Sequence, residues 1–226
     1  MKKHFIIHFR ELIYLVVLTG FSVAHAGSYD DFFDAVKNDQ VAAIEQLLAR
    51  GFDVNTLDPQ GQHGLALAIR EPSPKVAEAL IDAPQIDLNA LNAQGESPLM
   101  LASLKGQLEL VDHMVKKGAD VNKPGWTPLH YAATNSHLPV IRLLLENHAY
   151  IDAVSPNGST PLMMASMYGS PAAVKLLLDE GADALLKNQQ GITALQFAER
   201  VNRLDAAELI TKAQLSLRSQ RPPGKW

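Results

Sequence analysis

The sequence predicts an all-α protein built from stacked helix-turn-helix units. Three observations carry that prediction. One short register recurs at a nearly constant period, each recurrence opens on a residue that starts helices, and each second helix closes on a residue that ends them. The composition agrees: 47% of the 226 residues are apolar but only 6% aromatic, with Leu and Ala leading the apolar set. That is enough apolar material for a sizeable core, in one extended or two small domains.

The first element is a leader. Lys2, Lys3 and Arg10 give a positive start, Leu12 to Val23 is a short apolar stretch, and Ala24-His25-Ala26 supplies small residues where a signal peptidase cuts. The apolar stretch is about 12 residues, short of the roughly 20 that span a bilayer. No Cys follows it for lipid attachment, and Glu11 at its edge is the one departure from the pattern. The reading is a secretory signal peptide over 1–26, with export of a chain beginning at Gly27 to the periplasm or beyond. The competing reading is an uncleaved anchor or a buried first helix. The formal charge is −4; without Lys2, Lys3, Arg10 and Glu11 there remain 17 bases and 23 acids, or −6. Charges are interspersed, so nothing suggests a polyanion-binding surface. The absence of cysteine excludes disulfides, thiolate metal sites and a thiol nucleophile.

The repeats follow. Thr127-Pro128-Leu129-His130 recurs as Thr160-Pro161-Leu162-Met163 and as Thr193-Ala194-Leu195-Gln196, each 33 residues on. Backwards it appears as Ser97-Pro98-Leu99-Met100 and, degenerate, as His63-Gly64-Leu65-Ala66. The earliest copy starts near Asp30 with Phe32 in the Leu place. Six units result, about 30–62, 63–96, 97–126, 127–159, 160–192 and 193–216. In the last four a Ser or Thr hydroxyl can cap the first helix, and in three of these Pro suits its first position. Small residues such as Ala102, Ala132, Ala165 and Ala198 let helices approach closely. Gly106 and Gly169 are expected to end the first helix in a conformation that Cβ disfavours. Apolar runs such as Ile141, Leu143, Leu144 and Leu145 build the second helix, and Gly51, Gly118 and Gly181 close it. Ala-Asp-Val-Asn at 119–122 and its relatives then turn the chain into a projecting loop.

This register closely resembles the ankyrin repeat: the period, the Thr-Pro-Leu-His box at 127–130, Gly-Ala-Asp-Val-Asn at 118–122 and the Leu-Leu pairs all match. The resemblance covers about 30–216. It implies an ankyrin-repeat solenoid with short projecting loops, elongated and slightly curved, in which contacts run between nearest neighbours. The ankyrin-repeat domain then occupies 27–216 and the residues 217–226 form a flexible tail. Asp30, Asp31, Asp34, Lys37 and Asp39 suit a polar outer face on the first unit, and Glu199, Arg200, Arg203 and Glu208 on the last.

Three places depart from the pattern. His148 stands where Gly118 and Gly181 stand, a site of positive φ, and is read either as a mildly strained cap or as a rearranged loop. Asn122 to Thr127 is five residues where Asn55 to His63 and Asp152 to Thr160 span eight. The loop is therefore stubbier, and Trp126 either projects for binding or folds back on a neighbouring unit. Glu71-Pro72-Ser73-Pro74 predicts a lengthened or reshaped turn between the helices of the second unit.

No catalytic constellation emerges. Histidines 63, 113, 130, 137 and 148 form no metal-ligand spacing. No serine lies in a nucleophile elbow and no glycine-rich phosphate loop is present. The reading is a non-enzyme without cofactor or metal. His130 is expected to bond turn backbone and the Thr127 hydroxyl, and Met100 and Met163, in its place, to pack in the core.

The resemblance implies a protein partner met by the concave side, through the loops and the exposed face of each first helix. Carried onto this sequence, the candidates are the loop residues Trp126 and Asn157 and the helix-face residues Lys105, Asn135, Met167, Tyr168 and Arg200. Trp126, Tyr131 and Tyr168 would form a row of aromatic anchors, with Tyr131 packed between units. The expected function is a monomeric protein-interaction scaffold of the bacterial envelope. Resemblance to secreted bacterial ankyrin proteins links it to oxidative-stress protection. The alternative is a secreted effector or immunity-type protein acting on a host or competitor target.

Overall fold

The computed structural model describes residues 27–220. The leader expected over 1–26 and the last six residues of the expected tail lie outside the described residues. Among the described residues there are twelve helices and no β-strand beyond the isolated bridges Leu57–His63 and Lys187–Thr193. No described helix is long and apolar enough to cross a membrane. The chain divides into two compact units between Ile86 and Asp87.

The first unit holds α1 (27–37), α2 (Val41–Ala49), α3 (Gly64–Arg70) and α4 (Pro74–Ile81). Phe32 is its centre. The ring is fully buried, stacks on Phe52 at 4.7 Å and meets Phe33 edge-on at 5.1 Å. That ring explains Gly64, which stands where the next three units have Pro: a Cβ there would come within 2.6 Å of it. The Pro72–Pro74 turn is reshaped and not lengthened. Glu71 is extended (φ −80°, ψ 164°), and three residues separate α3 from α4. The Asp39 carboxylate reaches over from the α1–α2 turn to accept the Val76 N–H at 2.8 Å, satisfying a free donor at the start of α4.

The second unit holds α5 (Pro98–Lys105), α6 (Leu108–Lys116), α7 (Pro128–Thr134), α8 (Leu138–Glu146), α9 (Pro161–Met167), α10 (Pro171–Asp179), α11 (Ala194–Arg200) and α12 (Leu204–Gln220). The first helices pack in the row α5–α7–α9–α11 and the second helices in the row α6–α8–α10–α12. Leu99, Leu129 and Leu162, in the Leu place of the register, are fully buried, as are Met114, Ile141 and Val174 behind them. Each contributes roughly 1.5–3 kcal/mol by leaving water. α12 continues to Gln220, four residues beyond the boundary expected at 216.

Handedness explains the closing residues. Gly118 and Gly181 have φ of 91° and 98°, and His148 adopts φ 65° in the same place. His148 is thus the strained cap, its carbonyl held by the Asn122 side-chain amide at 2.8 Å. Gly106 has φ 70°, and a Cβ on it would strike the His137 ring at 2.3 Å. Gly169 corrects the expectation: its φ is not positive, and it is glycine because a Cβ would lie 2.6 Å from the Ala133 carbonyl oxygen. The loops are tied in sequence. Asn89 Oδ1 accepts the Asp120 N–H (2.8 Å), Asn122 Oδ1 the Tyr150 N–H (2.8 Å) and Asp152 Oδ1 the Asp183 N–H (3.1 Å), one repeat onward each time.

Candidate functional site

Each first helix of the second unit opens on the same device with a different fourth residue. In α5, α9 and α11 the hydroxyl of Ser97, Thr160 or Thr193 accepts the backbone N–H three residues on at 3.3 Å. The N–H of the capping residue is met in return by the fourth side chain. That is sulfur in Met100 and Met163, both at 3.4 Å, and the amide oxygen in Gln196 at 2.9 Å. In α7 the partner is His130. Its Nδ1 accepts the Thr127 N–H at 3.2 Å and lies 2.9 Å from the Thr127 hydroxyl. That leaves the ring proton on Nε2, which donates to the Ser159 carbonyl at 2.9 Å. Burial pushes the His130 pKa down to about 4, so the ring is neutral.

Trp126 stands directly before this box, at the end of the shortened loop. It is half-buried, folded back on the next unit while part of it stays exposed. The indole folds back edge-on against His130 at 5.3 Å and Tyr131 at 6.5 Å, and the remainder borders solvent. Tyr131 is half-buried, and its hydroxyl donates to the Glu96 carboxylate at 3.1 Å. Burial, then the charge of Glu96, holds its pKa above the ordinary tyrosine range. Together with Leu104, Thr134 and Met164 these rings line an open cavity of about 210 Å³. That is smaller than a drug-sized ligand site and matches one inserted side chain.

The structure brings together only part of the predicted set. Trp126 is in the cavity. Tyr168 is 53% exposed at the end of α9, where its carbonyl accepts from Arg203. Met167 is half-buried beside it, and Lys105 and Arg200 are exposed at the ends of α5 and α11. Asn135 is exposed, but its amide donates to the Leu104 carbonyl at 2.8 Å, tying α7 to α5. Asn157 shapes its own loop: its Oδ1 accepts from the Ser155 hydroxyl at 2.6 Å and the Ser159 N–H at 3.1 Å. Neither amide is held ready for a partner. Met164 belongs to a run of methionines near the first helices that can offer a soft binding surface; Leu104 and Thr134 are the cavity residues that the sequence does not single out. The signal for them was present: they sit on the solvent side of the first helices, one or two turns from the Trp126 register.

The family model described as ankyrin repeats in three copies matches residues 32–124, 85–155, 106–188 and 148–220. The chain is a member of the ankyrin-repeat family. Members of this family are generally binding scaffolds for proteins and not enzymes. The ankyrin repeat protein YahD of Escherichia coli (strain K12) is 29% identical over 193 residues, covering 81% of this chain and 95% of YahD. The solved ankyrin repeat protein EF0377 superposes with a TM-score of 0.72 at 27% identity, covering 80% of this chain and 96% of that one. A chain from the solved complex between a predatory endopeptidase of Bdellovibrio bacteriovorus and an immunity protein superposes with a TM-score of 0.69 at 26% identity, covering 80% of this chain and 97% of that one. Other curated relatives are much longer: the chain spans 36% of one and 16% of another.

Proposed function

We propose that this protein is a non-catalytic scaffold that binds a partner protein through its concave first-helix face, anchored at the Trp126 cavity. The observation that carries the reading is the aromatic-walled opening of about 210 Å³ on a face where the neighbouring Tyr168 is 53% exposed. Rigid aromatic anchors around a one-side-chain pocket are the usual energetic centre of a protein interface. Replacing Trp126 and Tyr168 with Ala is expected to remove the principal partner from a pull-down out of periplasmic extract. An unchanged profile, with the variant still folded, sinks the reading.

We place the protein in the bacterial envelope on the strength of the leader sequence, and the resemblance to secreted relatives suggests a role in oxidative-stress protection. Fractionation tests the first; a cytoplasmic chain that retains residues 1–26 rejects it. Peroxide survival of a deletion strain tests the second. The immunity-type reading is favoured by the likeness to a chain of the endopeptidase–immunity complex. It expects this protein to inhibit an envelope peptidase in a purified mixture, and undiminished peptidase activity excludes it.

A further inference from the structure

A second opening lies at the shortened loop, apart from the Trp126 cavity. Four loops of the chain close on a backbone pair: Asp58 N–H to Gln62 O, Asn92 to Glu96, Ser155 to Ser159 and Asn188 to Ile192, at 2.8–3.0 Å. The segment 123–126 has no counterpart of Ala153-Val154-Ser155, and so lacks the residues that would build such a pair. The missing residues leave a groove of about 800 Å³ between Asn122–Gly125 and Tyr150–Val154. This lies within the range of ligand sites. Its walls are apolar: Pro124, Ile151, Tyr150 at 69% exposure and Val154 at 57%.

One carboxylate stands in that apolar setting. Asp152 lines the groove, half-buried, with both oxygens turned on the single Asp183 N–H at 3.1 and 3.3 Å. Its counterpart Asn122 is satisfied at both ends, accepting from Tyr150 and donating to His148. Among the described residues no Lys or Arg pairs with Asp152. Lys123, the cation of the groove, gives its ammonium to the Gly95 carbonyl at 3.3 Å. Burial, and the neighbouring Asp183 charge, raise the Asp152 pKa, as fits a carboxylate without a counter-ion.

We infer that this groove is a binding site for an arginine-bearing apolar peptide segment of a partner protein. The guanidinium pairs with Asp152 and lies against the Tyr150 ring, and the adjoining apolar residue packs on Val154 and Pro124. Arginine fits better than lysine because its planar fork both meets a carboxylate edge and stacks on an aromatic face. The site is independent of the concave-face reading, since it shares no lining residue with the Trp126 cavity.

The test is an NMR titration of the full labelled chain with the capped dipeptide Ac-Arg-Phe-NH2 and with its neutral citrulline analogue. The arginine peptide is expected to perturb the amides of 150–154 and to bind about tenfold more tightly than the citrulline one. Asp152→Asn, which keeps an acceptor for the Asp183 N–H, is expected to abolish that difference. Inserting Ala-Val-Ser after Asn122, which restores the common loop length, is expected to abolish binding altogether. Equal affinity for the two peptides, no binding of either, or perturbation confined to Trp126 and Tyr131 overturns the inference. So does tighter binding to a chain ending at Gln220, which assigns the groove to the protein's own Arg221–Trp226. Concentration-dependent dimerisation lost in Asp152→Asn assigns it to a second copy and overturns it as well.

Discussion

The openings of α7 and α9 are the same device in the same register, one built on His130 and the other on Met163. Both side chains are buried, and both give an acceptor to the N–H of the preceding threonine. They differ in what the far end does. The methionine is finished once its sulfur has met Thr160. The imidazole has a second nitrogen, and that nitrogen donates to Ser159, in the turn that leads into the next repeat. One side chain closes a helix; the other closes a helix and fastens it to its neighbour. The second bond brings a liability, because an imidazole can take up a proton and a thioether cannot.

The largest expected effect comes from exchanging one for the other. At pH 7.5, His130→Met should cost about 1.5 kcal/mol in urea denaturation, since the buried Ser159 carbonyl loses one of its two donors and keeps only the Ser155 N–H. The comparison inverts in acid. The folded-state pKa of His130, about 4, is below its ordinary 6.5, so the unfolded chain binds the proton more readily. The His130 contribution is therefore complete above pH 6.5 and is lost as pH falls from 6.5 to 4, by about 3 kcal/mol in all. The His130→Met protein should lack that loss, and the two stability curves should cross. Parallel curves would break the comparison. A smaller effect is expected of Met163→Leu, about 1 kcal/mol, because the buried Thr160 N–H is left without its sulfur acceptor at similar side-chain volume. The smallest is expected of Gln196→Ala, about 0.5 kcal/mol by thermal melting, because the α11 box is exposed and water replaces the lost partner. A cost for Gln196→Ala above that of Met163→Leu would show that burial does not set the order.

The order of helices and the buried Leu65, Leu99, Leu129 and Leu162 of the register were legible because period and caps are local properties. So was the positive φ of His148, which aligns with two glycines. What needed coordinates was whatever depends on two repeats at once. The sequence gives no sign that the Asn135 amide reaches Leu104, or that Leu104 and Met164 flank Trp126. The place of Gly169 after a helix points to handedness, whereas the Ala133 carbonyl one repeat back is what excludes a side chain. The three missing loop residues could be counted from the sequence. That their absence bares Asp152 in an apolar groove could not, because it depends on where Asp183 sits.

The loop bonds from Asn89, Asn122 and Asp152 have a consequence for how such a chain changes length. Each acceptor addresses the backbone N–H that follows the Ala at the end of the next second helix (Asp120, Tyr150, Asp183), and every residue but proline supplies one. Excising 127–159 as a block would bring the Asp183 N–H into the register now held by Tyr150, opposite Asn122. Duplicating that block would offer the new copy a partner on either side. Gain or loss of a whole repeat thus asks for no compensating substitution at these ties, and the separations of 31, 28 and 31 residues show that three residues lost from a loop leave them in place as well.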